Sequence, residues 1–302
     1  MVAHPDDPEL VLALWKRNAP DPPGEQLLDL APWDMGRQTE AIRSRPVAQA
    51  GTVLTPAVAR YFAGLSTAYH VGSETNLDLL ERMQQVASLW VRGDVLDVGS
   101  GGLVHFALDA VKSLTLVDVA TTALADPKLL DKGALVSLLT SPQALSLAKL
   151  TLKEADALFL PFEDASFDTV TLFYICHHLS LLNVELSRER TIIALREAAR
   201  VLRRQGVLLV CEATTTALSA PAQDLLFGAL SRVAARWGKP LPYFFSRRRL
   251  IRLLHAAGLA VVAITPLTWG RRVYNPLFPS WTVPGWLWGL GLRVNLFVVK
   301  RS

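Results

Sequence analysis

A short apolar strand running directly into a glycine turn constrains this chain most: Val95-Leu-Asp-Val-Gly-Ser-Gly-Gly-Leu103. A second apolar run, Leu114 to Asp118, follows and ends in an acid. A strand, a glycine turn, a helix and a second strand tipped by a carboxylate make one βαβ unit. In such a unit small residues let the backbone approach a ligand and the acid takes ribose hydroxyls. The pattern predicts a nucleotide cradle.

Two details argue against a dinucleotide. Its fingerprint needs a third glycine three residues after the second, to admit a pyrophosphate at the helix N-terminus, but Gly99 and Gly101 are followed there by Val104. Asp97 also stands just before the turn, where a carboxylate repels phosphate and attracts a cation through charge-assisted hydrogen bonds. S-adenosylmethionine carries an ammonium, a sulfonium and no phosphate.

Four motifs in series sharpen this reading. They are Val95 to Gly102, then Leu116-Val-Asp118, then Asp156 to Val170 (DALFLPFEDASFDTV), then Leu195 to Val210 (LREAARVLRRQGVLLV). In this order and spacing they resemble the class I S-adenosylmethionine-dependent methyltransferases, in particular the small-molecule, quinone-methyltransferase-like branch, over roughly residues 91–264. The resemblance implies an α/β fold with a Rossmann-like, mostly parallel sheet and helices on both faces. It implies S-adenosyl-L-methionine as cofactor, with Asp97 on its ammonium and Gly99, Ser100 and Gly101 lining its methionine half. Leu103 stands where the family often carries a further glycine. Asp118, followed by Val119, takes the ribose diol, since a carboxylate suits paired hydroxyl donors. Asp156 and the backbone of Ala157 take the adenine, with Leu158, Phe162 and Phe173 in its surroundings.

Tyr174, His177 and His178 follow the fourth expected strand, and Glu212 ends the fifth. Parallel sheets open their ligand crevice at those carboxyl ends. A histidine there serves as general base toward a phenol, enol or amine, because its ordinary pKa lies near working pH. His177 and His178 are therefore the catalytic candidates, with Tyr174 and Glu212 facing the acceptor. No further catalytic group is demanded. The sulfonium is already activated, so the protein chiefly aligns nucleophile, methyl and sulfur and excludes water.

The chain divides into an N-terminal helical cap or lid, residues 1–90, and a cofactor-binding domain, 91–302, with an aromatic insertion at 266–292. Leu10, Val11 and Leu14, and later Val58, Tyr61, Phe62 and Leu65, recur at helical spacing, and Leu77, Leu80, Met83, Ala87 and Trp90 lead into the first strand. Phe167 to Cys176 reads as a strand covered on both faces, Glu189 to Arg204 as a helix stopped near Gly206, and Val207 to Cys211 as the next strand. Ala120 to Lys149 is mostly helical in pattern; Ser246 to Ala257 is a helix and Leu259 to Thr265 another strand. In the insertion, Trp269, Tyr274, Trp281, Trp286 and Trp288 are interleaved with Arg271 and Arg272. Aromatic walls with a few cations suit a flat, hydrophobic acceptor, with Trp269, Arg271 and Tyr274 touching it, and the same mixture suits interfacial membrane contact.

Charge is unevenly spread. All 27 acids lie at or before Asp224, whereas twelve of the 31 Lys and Arg follow it. Such polarity attracts an acidic partner or an anionic membrane surface. Cys176 and Cys211 fall in apolar runs without metal-ligand spacing, so buried free thiols and no metal are expected. The acidic, proline-broken first residues lack a secretory signal, and no stretch is long and apolar enough to span a membrane. The expected location is cytoplasmic, with peripheral membrane contact.

Together these features predict methyl transfer to O, C or N of a hydrophobic small molecule, with no nucleic-acid partner. Two alternatives stand beside it. One is a methyltransferase-like fold that uses S-adenosylmethionine non-reactively, to hold charge beside a rearranging substrate. The other is a nucleic-acid methyltransferase or binding module recruited through the basic C-terminal third, although no Asn/Asp-Pro-Pro-Tyr/Phe motif follows the fourth strand.

Overall fold

The computed structural model describes residues 77–100, 104–119, 149–180, 183–236, 241–267, 272–274, 282–284 and 292–302. The expected helices at 10–14 and 58–65, the segment 120–148 and most of the insertion lie outside the described residues. A seven-stranded sheet forms the centre, in the order β3-β2-β1-β4-β5-β9-β6. Its strands are β1 (Gly93–Val98), β2 (Val111–Asp118), β3 (Lys149–Glu154), β4 (Phe167–Phe173), β5 (Leu202–Thr214), β6 (Leu259–Pro266) and β9 (Arg293–Arg301). Strands β1 to β5 pair in parallel, while β9 lies antiparallel between β5 and β6. Within the insertion, β7 (Arg272–Tyr274) and β8 (Thr282–Pro284) pair antiparallel.

Local sequence explains most of these elements. Val95, Leu96 and Val98 of β1 are buried, as expected of a parallel strand covered on both faces. Thr169 and Thr171 of β4 are fully buried too, and each finds a partner across the ladder: the Thr169 hydroxyl donates to Arg92 O at 2.9 Å, and Thr171 meets Asp97. Helix α1 (Leu77–Ser88) sets Met83 and Ala87 into the core beside Val91 and Val95. Helix α2 (Val184–Val201) starts where the Asn183 side-chain Oδ1 accepts from Leu186 N at 2.8 Å. Helix α4 (Arg247–Ala256) follows the Ser246 cap and is succeeded by Gly258 with φ +78°, much as the sequence predicts. Helix α3 (Ala220–Arg236) joins β5 to that region.

Four boundaries depart from expectation. The βαβ unit lacks its helix among the described residues: 104–110 form bends and a turn. Phe106 and Leu108 are buried there, Ala107 N is bonded by the Ser88 hydroxyl at 2.7 Å, and Val111 N by Leu108 O at 2.9 Å. The connection from β1 to β2 is about as short as a parallel crossover can be, and α1 packs into the core where it runs. Helix α2 begins five residues before Glu189 and ends at Val201, because Leu202 turns extended and pairs with Phe167. Strand β5 consequently runs from Leu202 to Thr214, well beyond both ends of the predicted run. Strand β4 stops at Phe173, which leaves Cys176 in a single 3-10 turn (Cys176–Leu179), not in a strand. Both cysteines are free and buried.

Candidate active site

Strand order reverses between β1 and β4, so a crevice opens at their carboxyl ends, where Asp97, Gly99 and Ser100 stand. Gly99 takes φ +69°, and a Cβ there would meet Ile175 Cδ1 at 2.6 Å. The turn therefore needs glycine for its own packing as well as for access. Its amide and that of Ser100 are held by Val117 O at 2.8 and 3.2 Å, which ties the turn to β2.

Asp97 is 1% exposed. Its Oδ1 accepts from the Thr171 hydroxyl at 2.5 Å, whereas Oδ2 is buried with no hydrogen-bond partner among the described residues. Burial, and secondarily the neighbouring charge of Asp118, push its carboxyl up to about 7 despite the Thr171 bond. A buried acceptor left bare costs about 1–3 kcal/mol. A cationic donor at that oxygen would recover the cost and return the acid to its ionised form. The residues present thus fit the ammonium of S-adenosylmethionine. Asp118, half-buried at the end of β2 opposite Glu154, and Val119 after it complete this side.

The Asp156 loop is fixed from below by α2. Glu197 Oε2 accepts from Leu160 N at 3.0 Å, and Arg200 donates to Leu160 O and Phe162 O, both at 2.8 Å. The Leu195 to Val210 motif thus acts partly by fastening this loop. Asp156 Oδ1 accepts from Leu158 N at 2.9 Å, Ala157 is buried and Leu158 half-buried. Phe162 packs edge-on against Phe167 at 5.1 Å. Arg190, which the sequence did not single out, comes from α2 within electrostatic reach of Asp156, and burial lowers its pKa. Phe173 is buried beside His105 and Phe106.

Across the crevice, the ends of β4 and β5 meet. Tyr174 adopts φ +57°, a left-handed conformation costly for a tyrosine, and its amide bonds Cys211 O at 2.8 Å. This bend starts the turn that delivers His177 to Glu212: Nδ1 lies 2.5 Å from Oε1. Glu212 is fully buried and well supplied with donors, accepting also from Ala213 N at 2.9 Å and from His177 N at 3.4 Å. The sequence reading set Glu212 toward the acceptor; in the structure its Oε1 meets His177 Nδ1. The imidazole is stacked on Phe244 at 4.8 Å and lies 4.1 Å from the ring of His178. Burial, and secondarily the neighbouring His177 imidazole, hold His178 well below the ordinary histidine pKa. Such an arrangement can hold the proton on Nδ1 of His177, leaving Nε2 as the basic nitrogen.

Of the remaining expected site residues, Gly101, Trp269 and Arg271 lie outside the described residues, and Tyr274 stands in β7 opposite Thr282. Thr171 and Phe244 were missed: a hydroxyl inside an apolar strand and an aromatic beyond α3 carry no local signal of a site. Among the described residues there is no cluster able to hold a metal ion, and no helix is long and apolar enough to cross a membrane.

Residues 96–210 match the family model described as "Methyltransferase domain". Among solved structures, the chain is similar to the methyltransferase in complex with the Haloferax volcanii Trm112 methyltransferase activator: 14% identity over 78% of this chain and 96% of that one, TM-score 0.50. It is also similar to an S-adenosylmethionine-dependent methyltransferase of Thermotoga maritima, with 17% identity over 81% and 99% of the two chains and a TM-score of 0.49. A methyltransferase of Bacillus halodurans aligns with 16% identity over 74% and 97%, at 0.47. The family match joins the strand order and the motif series: residues 96–210 carry a methyltransferase domain, and the enzyme works with S-adenosylmethionine.

Proposed function

We propose that the enzyme methylates an O, C or N nucleophile of a hydrophobic small molecule, with His177 as general base and Glu212 as the residue that positions it. The single observation behind this reading is the buried His177–Glu212 contact at the carboxyl ends of β4 and β5. Bound S-adenosylmethionine supplies a methyl already activated on a sulfonium. The chain's own residues do the rest. Asp97 would hold the ammonium, Asp118 the ribose diol, and the Asp156 loop the adenine. Glu212 keeps the His177 proton on Nδ1, so that Nε2 receives the proton of the acceptor, and the carboxylate then stabilises the imidazolium. Phe244 stacks on His177 and Tyr174 meets it edge-on, apolar surface that keeps water from competing.

Replacing His177 by Ala is expected to lower the single-turnover rate of S-adenosylhomocysteine formation by about 10²–10⁴, with S-adenosylmethionine affinity nearly unchanged. A fall in thermal stability with normal turnover per folded molecule would return His177 to packing and leave approximation as the main source of rate. Formation of S-adenosylhomocysteine itself separates methyl transfer from non-reactive use of the cofactor.

A further inference from the structure

Helix α3 is built inside out. Leu225, Leu226 and Leu230 are exposed on it, while Gln223 is 3% exposed. An amide carried into the interior costs free energy unless its polar atoms are paired. Both are paired here, and with the same residue: Gln223 Nε2 donates to Phe244 O at 2.8 Å, and Gln223 Oε1 accepts from Phe244 N at 3.3 Å. The side chain thus supplies what a neighbouring strand would supply, a donor and an acceptor to one stretch of backbone.

Phe244 lies in a segment, residues 241–245, that is tied to the ends of both β4 and β5. On the side of the turn after β4, Leu241 O accepts from the Ser180 hydroxyl at 2.7 Å, and Tyr243 N donates to His177 O at 3.1 Å. Thr215, just past β5, donates from its amide to Phe245 O at 3.1 Å and from its hydroxyl to Phe244 O at 3.4 Å. Tyr243, Phe244 and Phe245 are all buried. These tethers set the course of the segment, and the Gln223 grip adds a bond to each polar group of the Phe244 backbone.

The ring carried by that backbone lies against the proposed base. Phe244 stacks on the His177 imidazole with 4.8 Å between centroids and 26° between planes. Glu212 holds the imidazole at one point on its edge, Nδ1, about which a ring can still tilt. A flat surface against the face removes that freedom and so sets the direction in which Nε2 points. The stack also favours the charge that a base acquires, because the face of an aromatic ring is negative. His178, tilted 43° at 4.1 Å, and Tyr174, edge-on at 6.4 Å, meet the same imidazole without lying parallel to it.

We propose that Phe244 and Gln223 are positioning residues for methyl transfer: Phe244 fixes the plane of the His177 imidazole, and Gln223, from α3, fixes Phe244. This rests on the reading of His177 as general base and extends the machinery of that base to α3.

The test is nuclear magnetic resonance on the full chain carrying isotope-labelled histidine, with His177 identified by the signals lost in His177→Gln. Ring relaxation in the wild type should give an order parameter near the rigid value of about 0.85, and Phe244→Leu and Gln223→Met should lower it below about 0.6. Phe244→Tyr, which keeps a ring on the imidazole, should restore rigidity, and Gln223→Glu, which keeps the bond from Phe244 N, should fall between. Val111→Ala truncates a buried residue at the far end of β2; it should lose stability and leave the His177 ring rigid, which separates general loosening from loss of position. Affinity for S-adenosylhomocysteine, by calorimetry, should stay within about twofold in every variant. A His177 ring as rigid in Phe244→Leu and Gln223→Glu as in the wild type overturns the proposal. So does a ring made equally mobile by Val111→Ala, or loss of S-adenosylhomocysteine affinity in Phe244→Leu. A wild-type proton found on Nε2 instead of Nδ1 would overturn the general-base reading itself while leaving the mobility result readable.

Discussion

Two buried acids end two parallel strands of this sheet, and the protein treats them differently. Glu212, beyond the middle of β5, is fully enclosed and receives donors from His177 Nδ1, Ala213 N and His177 N. Asp97, on β1, is as deeply enclosed but has one donor, Thr171, and one bare oxygen. Glu212 is satisfied by the fold itself and can organise a neighbour in the absence of any ligand. Asp97 is completed only from outside, and its carboxyl is correspondingly displaced to about 7. On the proposed reading the fold separates a pre-organised chemical half from a ligand-dependent binding half, and the contrast can be tested by breaking each acid in turn.

The largest effect is expected at Glu212. Glu212→Leu strands two backbone amides and the His177 imidazole in a dry interior, which should cost about 3–5 kcal/mol in chemical denaturation. The milder Glu212→Gln should fold while lowering turnover, because an amide cannot hold an imidazolium. If Glu212→Leu proves as stable as wild type, the pre-organised half does not exist as described.

Asp97 should respond in the opposite sense. At pH 8 the ionised acid is a burden to the empty protein, so Asp97→Asn should raise thermal stability while weakening S-adenosylmethionine binding by at least about tenfold, from loss of a charge-assisted bond. Acidity reads the same feature more finely. A carboxyl raised above its ordinary value holds its proton more tightly folded than unfolded; the empty protein therefore loses stability as pH rises from about 4 to 7 and changes little above. Cofactor binding, which needs the ionised form, should strengthen by up to about tenfold per pH unit below 7 and level off above. Calorimetry between pH 5.5 and 7.5 decides this; a flat profile would show that Asp97 is not the ammonium partner, and Asp97→Asn should itself be flat. The smallest change is expected from Thr171→Val, which removes one donor, about 1 kcal/mol, and should move the midpoint of that profile upward.

Strands β1 and β2 and the acids at their ends were legible from the sequence, because apolar runs broken by glycine and closed by a carboxylate are local patterns. Helix α4 was legible for the same reason, with Ser246 before it and Gly258 after it. The lack of a crossover helix among the described residues was not: Val104 to Ala110 has a helical composition, and only the tertiary placement of Phe106 and Leu108 decides against it. The boundary at Leu202 was hidden by Arg203-Arg-Gln205, which continues a helical pattern until β4 offers Phe167 as a pairing partner. The His177–Glu212 pair spans 35 residues. Each residue could be singled out alone, but their union depends on the left-handed bend at Tyr174, and a tyrosine gives no hint of positive φ. Helix α3 also escaped, since its exposed Leu225, Leu226 and Leu230 blur the contrast between faces that marks an amphipathic helix.

The placement of β9 bears on how the molecule is made. Because β9 lies between β5 and β6, these two strands are not joined into one sheet until residues 293–301 have been synthesised and have threaded in antiparallel. A nascent chain that has reached Pro266 therefore presents Leu208, Leu209 and Val210 along an open edge, a template for pairing with any neighbouring chain. Premature termination anywhere between β6 and β9 should yield an insoluble product even though every motif of the cofactor site has already been translated. Quality control of this enzyme is in effect exercised by its last strand.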